Sequence, residues 1–227
     1  MSDTRVLTID VVSDLVSPWC YLAMGRLERA LSTLKGASIP VIRWQPFEIN
    51  PAIPSAGMDV DRYLSAVFGS ADIARQVLDE VTTEGEAEGI HFDFSRVKSV
   101  PNTLFAHRLI LLAEEEDRGE RMTQTLFQGF FEQGRDIGDL DVLADLADEV
   151  GLDADSAGKY LAGDRNRDIV RTRDAQARSA GLIGVPSIIV NGQLAVMGVQ
   201  GSDTILAAID QALFHELSDA PGAGVVH

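Results

Sequence analysis

Cysteine occurs once in these 227 residues, at Cys20, so no disulfide can form within the chain, and any disulfide must be mixed or between chains. Basic side chains are also scarce, 19 against 35 acidic ones. The formal charge of −16 opposes extended contact with a phosphate backbone or an anionic bilayer, so no nucleic-acid partner and no membrane partner are expected. No apolar run approaches the roughly 20 residues of a membrane-crossing helix. The first twenty residues lack a basic start, an apolar core and a small-residue cleavage site, and a cytoplasmic location is expected. His91, His215 and His227 show no spacing that resembles a zinc site, so no metal is expected. A Walker loop, a G-x-G-x-x-G turn after a strand and a G-x-S-x-G elbow are all missing.

What is present suits a soluble globular protein with a sizeable core: 45% hydrophobic and 24% charged residues. The informative stretch is Ser17-Pro18-Trp19-Cys20, where an apolar strand runs into an amphipathic helix. Ser17 is a preferred N-cap, and Pro18 suits the first helical position because its missing N–H has no intrahelical partner there. The free N–H groups and the positive dipole end of the helix then favour an anion such as a thiolate or carboxylate. Two cysteines at this spacing would form the Cys-x-x-Cys of a thioredoxin-like redox site. Here the first position, where a helix end activates a thiolate, carries the Ser17 hydroxyl, and Cys20 lies one turn in, facing the core.

In chain order, residues 4–12 are rich in β-branched side chains and read as a buried strand. The helix after the motif carries Leu22, Leu27, Ala30, Leu31 and Leu34 near helical spacing, with a stop at Lys35-Gly36. Residues 39–49 form a second strand that Pro46 interrupts, which gives a right-handed βαβ unit with a parallel pair. Beyond a Pro/Gly/Ser connector the texture turns helical, with helices expected over 59–68, 71–88, 102–117, 120–133, 139–150, 153–161 and 164–180. Strand texture returns over 182–190, Asn191-Gly192 signals a hairpin, 193–197 is the returning strand, and Ser202-Asp203 opens a last helix. The expected fold is α/β: a mixed four-stranded sheet split by a large helical insertion. Its halves span 1–53 and 182–218, the insertion 54–181, and a loose tail 219–227. Pro186 cannot sit in a central ladder position and belongs at a strand's start, where a cis bond in a tight turn is one use.

The blocks Asp14-Leu15-Val16-Ser17-Pro18-Trp19-Cys20-Tyr21, Trp44-x-Pro46-Phe47-Glu48-x-Asn50-Pro51, Pro101-Asn102-Thr103 with Ala106-His107-Arg108, and Gly184-Val185-Pro186 spread over most of the chain. Together they resemble the DsbA family of thioredoxin-fold proteins, and within it the FrnE-like branch. The family's usual pattern has cysteine where this chain has Ser17. The architecture is also similar to that of 2-hydroxychromene-2-carboxylate isomerases and kappa-class glutathione transferases, which carry serine there and use bound glutathione. That resemblance implies that Ser17 donates to the glutathione sulfur, that Val185 beside Pro186 offers main-chain groups to the tripeptide, and that Ser202-Asp203 holds the γ-glutamyl end. The DsbA resemblance implies a cis-proline at Pro186 facing the motif. The family often forms homodimers, and one is expected.

Each of these residues also has a plain structural reading. Ser17 as a simple N-cap would contribute about 1 kcal/mol. Cys20 would be a buried small hydrophobe, and Trp19 and Trp44 core aromatics, although an exposed Trp19 would instead wall an apolar pocket. Ser202 and Asp203 would be a cap and a dipole partner. His107 would be a satisfied core histidine, or with Asn102 would line the cleft between insertion and sheet. Three functions stay open. The first is thiol–disulfide or glutathione-linked redox chemistry at Ser17 and Cys20, in which Cys20 forms a mixed disulfide with glutathione or a client protein that a second thiol must release. The second is glutathione-dependent isomerisation or transfer on a small electrophile. The third is a non-catalytic peptide-binding module that uses the groove beside Pro186.

Overall fold

A computed structural model describes residues 7–33 and 40–218, with the backbone alone over 213–218. Strand β1 (Thr8–Ser13) leads through a short turn into helix α1 (Pro18–Ser32). Ser17 caps that helix from extended backbone, φ −97° and ψ 111°, with Pro18 in its first turn, as the sequence implies. The stop expected at Lys35-Gly36 lies outside the described residues, as do the tail and His227. Strand β2 (Val41–Pro46) is an edge strand and so tolerates a proline at its end, and the Phe47 N–H just beyond still donates to the Ser13 carbonyl at 3.0 Å.

The insertion follows as β3 (Met58–Asp59), α2 (Val60–Phe68), α3 (Ala71–Ala87), β4 (Ser99–Val100), α4 (Leu104–Glu114), α5 (Gly119–Phe131), α6 (Leu140–Glu149), α7 (Ala154–Ala162) and α8 (Arg167–Ser179). Asp59, Ser70, Asp139 and Asp153 each accept first-turn N–H groups, which explains why these helices start where the sequence places them. The insertion is helical as expected, with one addition and one corrected boundary. Met58–Asp59 pairs antiparallel with Ser99–Val100 in a ribbon too short to show alternation. The helix expected from 164 begins at Arg167, since Asn166 takes a left-handed conformation, φ 63°.

The chain then completes its sheet with β5 (Ser187–Val190) and β6 (Gln193–Met197) and closes with α9 (Ser202–Ser218). The strand expected over 182–190 therefore keeps only its second half, the part beyond Pro186. Strand order is β2-β1-β5-β6, with β1 parallel to β2 and antiparallel to β5, and β5 antiparallel to β6. This is the mixed four-stranded sheet that the sequence predicts. β1 is central and buried along almost its whole length, and it delivers the motif at its C-terminal end.

One apolar cluster runs from the sheet into the insertion, joining Ile9, Val11, Leu22, Leu27 and Trp44 to Phe127, Phe131 and Leu146. At its centre the Tyr21 ring stacks on Phe127, centroids 5.1 Å apart, and the Tyr21 hydroxyl donates to Glu132 at 2.6 Å. Arg108 on α4 is completely buried. Its guanidinium donates to the carbonyls of Tyr160, Leu161, Gly163 and Arg165 at 2.7 to 2.9 Å, and so satisfies the open C-terminal end of α7. Among the described residues no helix is long and apolar enough to cross a membrane.

Candidate active site

The turn between β1 and α1 is built by Asp14. Its carbonyl accepts the Ser17 N–H at 3.1 Å, and one carboxylate oxygen accepts the Ile49 N–H at 2.7 Å, which ties the motif to the chain just beyond β2. Ser17 is 4% exposed, and its Oγ accepts the Cys20 N–H at 3.3 Å. An oxygen that accepts there still has its own O–H to donate. Cys20 has no exposed surface, and burial pushes its thiol up to about 12, against smaller opposing effects from the Ser17 hydroxyl and a main-chain hydrogen bond of Asp14; the Asp14 charge raises it further. Trp19 is half-buried against the core, and Pro18 is likewise half-buried on the helix's first turn.

The Val185–Pro186 peptide is cis. Val12 pairs with Ser187, so the proline enters the sheet beside the end of β1 that leads into the motif. Pro186 is buried, and its carbonyl accepts the Gly198 N–H at 2.8 Å. Val185 is half-buried, and its own N–H and carbonyl have no hydrogen-bond partner among the described residues. Ser202 and Asp203 open α9, which packs along α1. The cap position itself is Gly201, whose carbonyl accepts the Ile205 N–H, so Ser202 is the first helical residue rather than the cap. Neither Ser202 nor Asp203 makes a side-chain hydrogen bond among the described residues. Asn102 behaves differently. Its amide donates to the Ile53 carbonyl at 3.0 Å and its oxygen accepts the Leu104 N–H at 3.1 Å, so it is engaged in holding the chain.

Behind the motif lies a polar cluster that sequence reasoning did not assemble. Asp14 is 1% exposed, His107 3% and Glu48 6%. His107 Nε2 on α4 faces Asp14 Oδ1 at 3.4 Å, and neither atom has a hydrogen-bond partner among the described residues. Burial raises the Glu48 carboxyl above its ordinary range; His107 counters that, while Asp14 and Asp174 add to it. Asp174 accepts the Glu48 N–H, and Arg178 donates to the Glu48 carbonyl while lying 4.1 Å over the Phe47 ring. Beyond it Tyr63 takes a hydrogen bond from Asn50, and burial and the Asp14 charge hold its hydroxyl above the ordinary value. The available signal was a charged residue inside an apolar run, as in Val12-Ser13-Asp14-Leu15, because buried charge requires a partner. Among the described residues, no three or more His, Cys, Asp or Glu side chains group so as to hold a metal ion.

The model of the DSBA-like thioredoxin domain matches residues 8–210. Bacillus subtilis protein YwbO is 31% identical over 204 residues, 88% of this chain and 94% of its own. The 2-hydroxychromene-2-carboxylate isomerase of Sphingobium xenophagum is 26% identical over 197 residues, 82% of this chain and 90% of its own. The crystal structure of a probable DsbA oxidoreductase from Streptomyces coelicolor superposes with a TM-score of 0.86 at 26% identity, over 97% of this chain and 94% of that one. The match runs from the first strand into the last helix, and the chain belongs to the DSBA-like thioredoxin domain family.

Proposed function

We propose that the protein uses a borrowed thiol, that of glutathione, to act as an isomerase or transferase on a small electrophile, with Ser17 holding the sulfur. The observation that carries this reading is the contrast between the two ends of the motif. The chain's one thiol is sealed and protonated at Cys20, whereas the position at the helix N-terminus offers a hydroxyl with a hydrogen to donate. A thiol raised to about 12 is almost entirely un-ionised at neutral pH and is a poor nucleophile. Without a second cysteine there is also no internal step to resolve a mixed disulfide.

The N-terminus of α1 and the Ser17 O–H favour a thiolate at this place. Val185 supports the reading with an uncommitted N–H and carbonyl beside the motif, the groups an extended peptide such as glutathione would pair with. Ser202 and Asp203, uncommitted at the start of α9, suit the γ-glutamyl ammonium and carboxylate. The bound thiolate would add to an electrophilic carbon, forming a C–S bond, and leave again after the carbon skeleton rearranges, so that glutathione is regenerated. Likeness to a 2-hydroxychromene-2-carboxylate isomerase supports this over disulfide exchange.

The test is a titration of glutathione into wild type and Ser17→Ala, following thiolate absorbance in the ultraviolet at neutral pH. Binding with a new thiolate band in wild type, lost or reduced about tenfold in Ser17→Ala, is the expected outcome. Absence of both binding and thiolate signal in wild type overturns the reading.

A further inference from the structure

The buried cluster behind the motif has no part in that mechanism, yet it touches the site. Ser17 Oγ hydrogen-bonds with Cys20, Cys20 feels the Asp14 charge, and Asp14 faces His107. We propose that Asp14 and His107 form a positioning pair that sets how readily a sulfur anion is held at Ser17. Asp14 fixes the turn while its charge opposes the anion, and His107 offsets that charge from the insertion. The identity of the sulfur as glutathione's rests on the preceding reading, but the electrostatic role does not.

Two requirements conflict at Asp14. The turn needs its carboxylate, because Oδ2 accepts the Ile49 N–H and thereby aligns the end of β2 with the motif. A carboxylate at 1% exposure is, however, a fixed negative charge in a poorly screened place. The effect already registers at Cys20, whose thiol Asp14 makes harder to ionise. A sulfur anion beside Ser17 stands in the same field.

The groups that face Asp14 decide who can offset it. From the end of β2 comes Glu48, a second acid, and from α2 Tyr63, a neutral phenol. From α8 come Asp174, Arg171 and Arg178, of which Asp174 and Arg178 pair with each other at 2.9 Å. Arg171 is exposed, and Arg178 is engaged by Asp174 and the Glu48 carbonyl, so solvent screens their effect on the interior. His107 is the one buried base set against the carboxylate among the described residues, at 3.4 Å and 3% exposure. It sits on α4 next to Arg108, whose guanidinium points instead to the end of α7 and fixes the helix.

The experiment places a sulfur at the site covalently, so that glutathione is not needed. In Ser17→Cys, kept reduced, the introduced thiol is titrated by ultraviolet absorbance and by alkylation rate against pH. Adding His107→Leu should raise its midpoint by roughly one pH unit, about tenfold less thiolate at neutral pH. His107→Gln, which keeps an N–H donor, should restore part of the shift. Asp14→Asn added to His107→Leu should return the midpoint to or below the starting value, a reversal that a merely structural role for either residue does not produce. A midpoint unmoved by His107→Leu, or a shift that Asp14→Asn fails to reverse, overturns the proposal. Should His107→Leu not fold, Asp14→Asn alone in the Ser17→Cys background decides: its midpoint falls if the pair acts as stated, and an unchanged one overturns it. If glutathione fails to bind wild type, the functional reading falls while this titration still stands or fails by itself.

Discussion

At the scale of single residues, Cys20 and Arg108 show how burial assigns roles that sequence leaves open. Cys20 should resist alkylation by a water-soluble thiol reagent in the native protein and react fully once unfolded; modification of native protein within minutes would count against its sealed state. The sign of its pH effect follows from the folded thiol lying at about 12 against an ordinary 9.0. The folded state holds the proton more tightly, so the Cys20 contribution is present below the ordinary value and is lost as pH rises. The loss runs at about 1.4 kcal/mol per pH unit between those limits. Cys20→Ala should therefore lose less stability than wild type on going alkaline, read from urea midpoints at several pH values, and should keep glutathione binding. Arg108 has no exposed surface and serves four carbonyls, so Arg108→Leu should cost about 3 kcal/mol or more in urea unfolding, because it leaves the end of α7 unpaired.

At the scale of elements, the hairpin shows what the sequence made legible. Asn191-Gly192 signals a two-residue turn, and both residues do take positive φ, 48° and 81°. What the dipeptide does not reveal is that Asn191 also stitches the hairpin to the central strand: its N–H donates to the Thr8 carbonyl and its side-chain oxygen accepts the Thr8 N–H, each at 2.9 Å. Helices α2, α3, α6 and α7 of the insertion were legible through their caps, whereas the β3–β4 ribbon was not, because two residues per strand carry no periodicity. The motif likewise announced Ser17 as a cap, but the Asp14–His107 contact joins residues 93 apart in sequence and leaves no local pattern. The same distinction between local and tertiary cause predicts unequal glycine substitutions. A Cβ at Gly192 meets nothing within 4 Å, so Gly192→Ala should cost only the left-handed backbone penalty, about 1 kcal/mol. At Gly134, φ 70°, a Cβ would lie 2.6 Å from the Arg96 carbonyl oxygen, and Gly134→Ala should lower the urea midpoint distinctly more. Equal losses at the two sites would show that the turn of the chain, not the packing of Arg96, sets the cost.

At the scale of the whole molecule, a formal charge of −16 sets the terms for stability. Burial raises the carboxyls of Glu28, Glu48 and Glu114, so the fold favours their protonated forms more than the unfolded chain does. Their contribution is complete below the ordinary carboxyl range and is lost as pH rises through their folded values, which places a gain in stability on the acid side of neutrality. Asp93 and Asp153 work the other way, held low chiefly by the hydroxyls of Ser95 and Ser156, and they cost stability only at more acid pH. Self-repulsion of the acidic surface adds to the same trend, and salt relieves it. The melting temperature should therefore rise as pH falls from about 8 toward about 5.5, and rise with added sodium chloride at the alkaline end. Glu48→Gln separates the buried group from the surface field. The uncharged side chain imitates the protonated acid, so the variant should melt higher than wild type at neutral pH and gain less on acidification. A variant that melts lower at neutral pH, with an unchanged acid-side gain, would assign that gain to the surface charge and leave Glu48 needed in its ionised form beside His107.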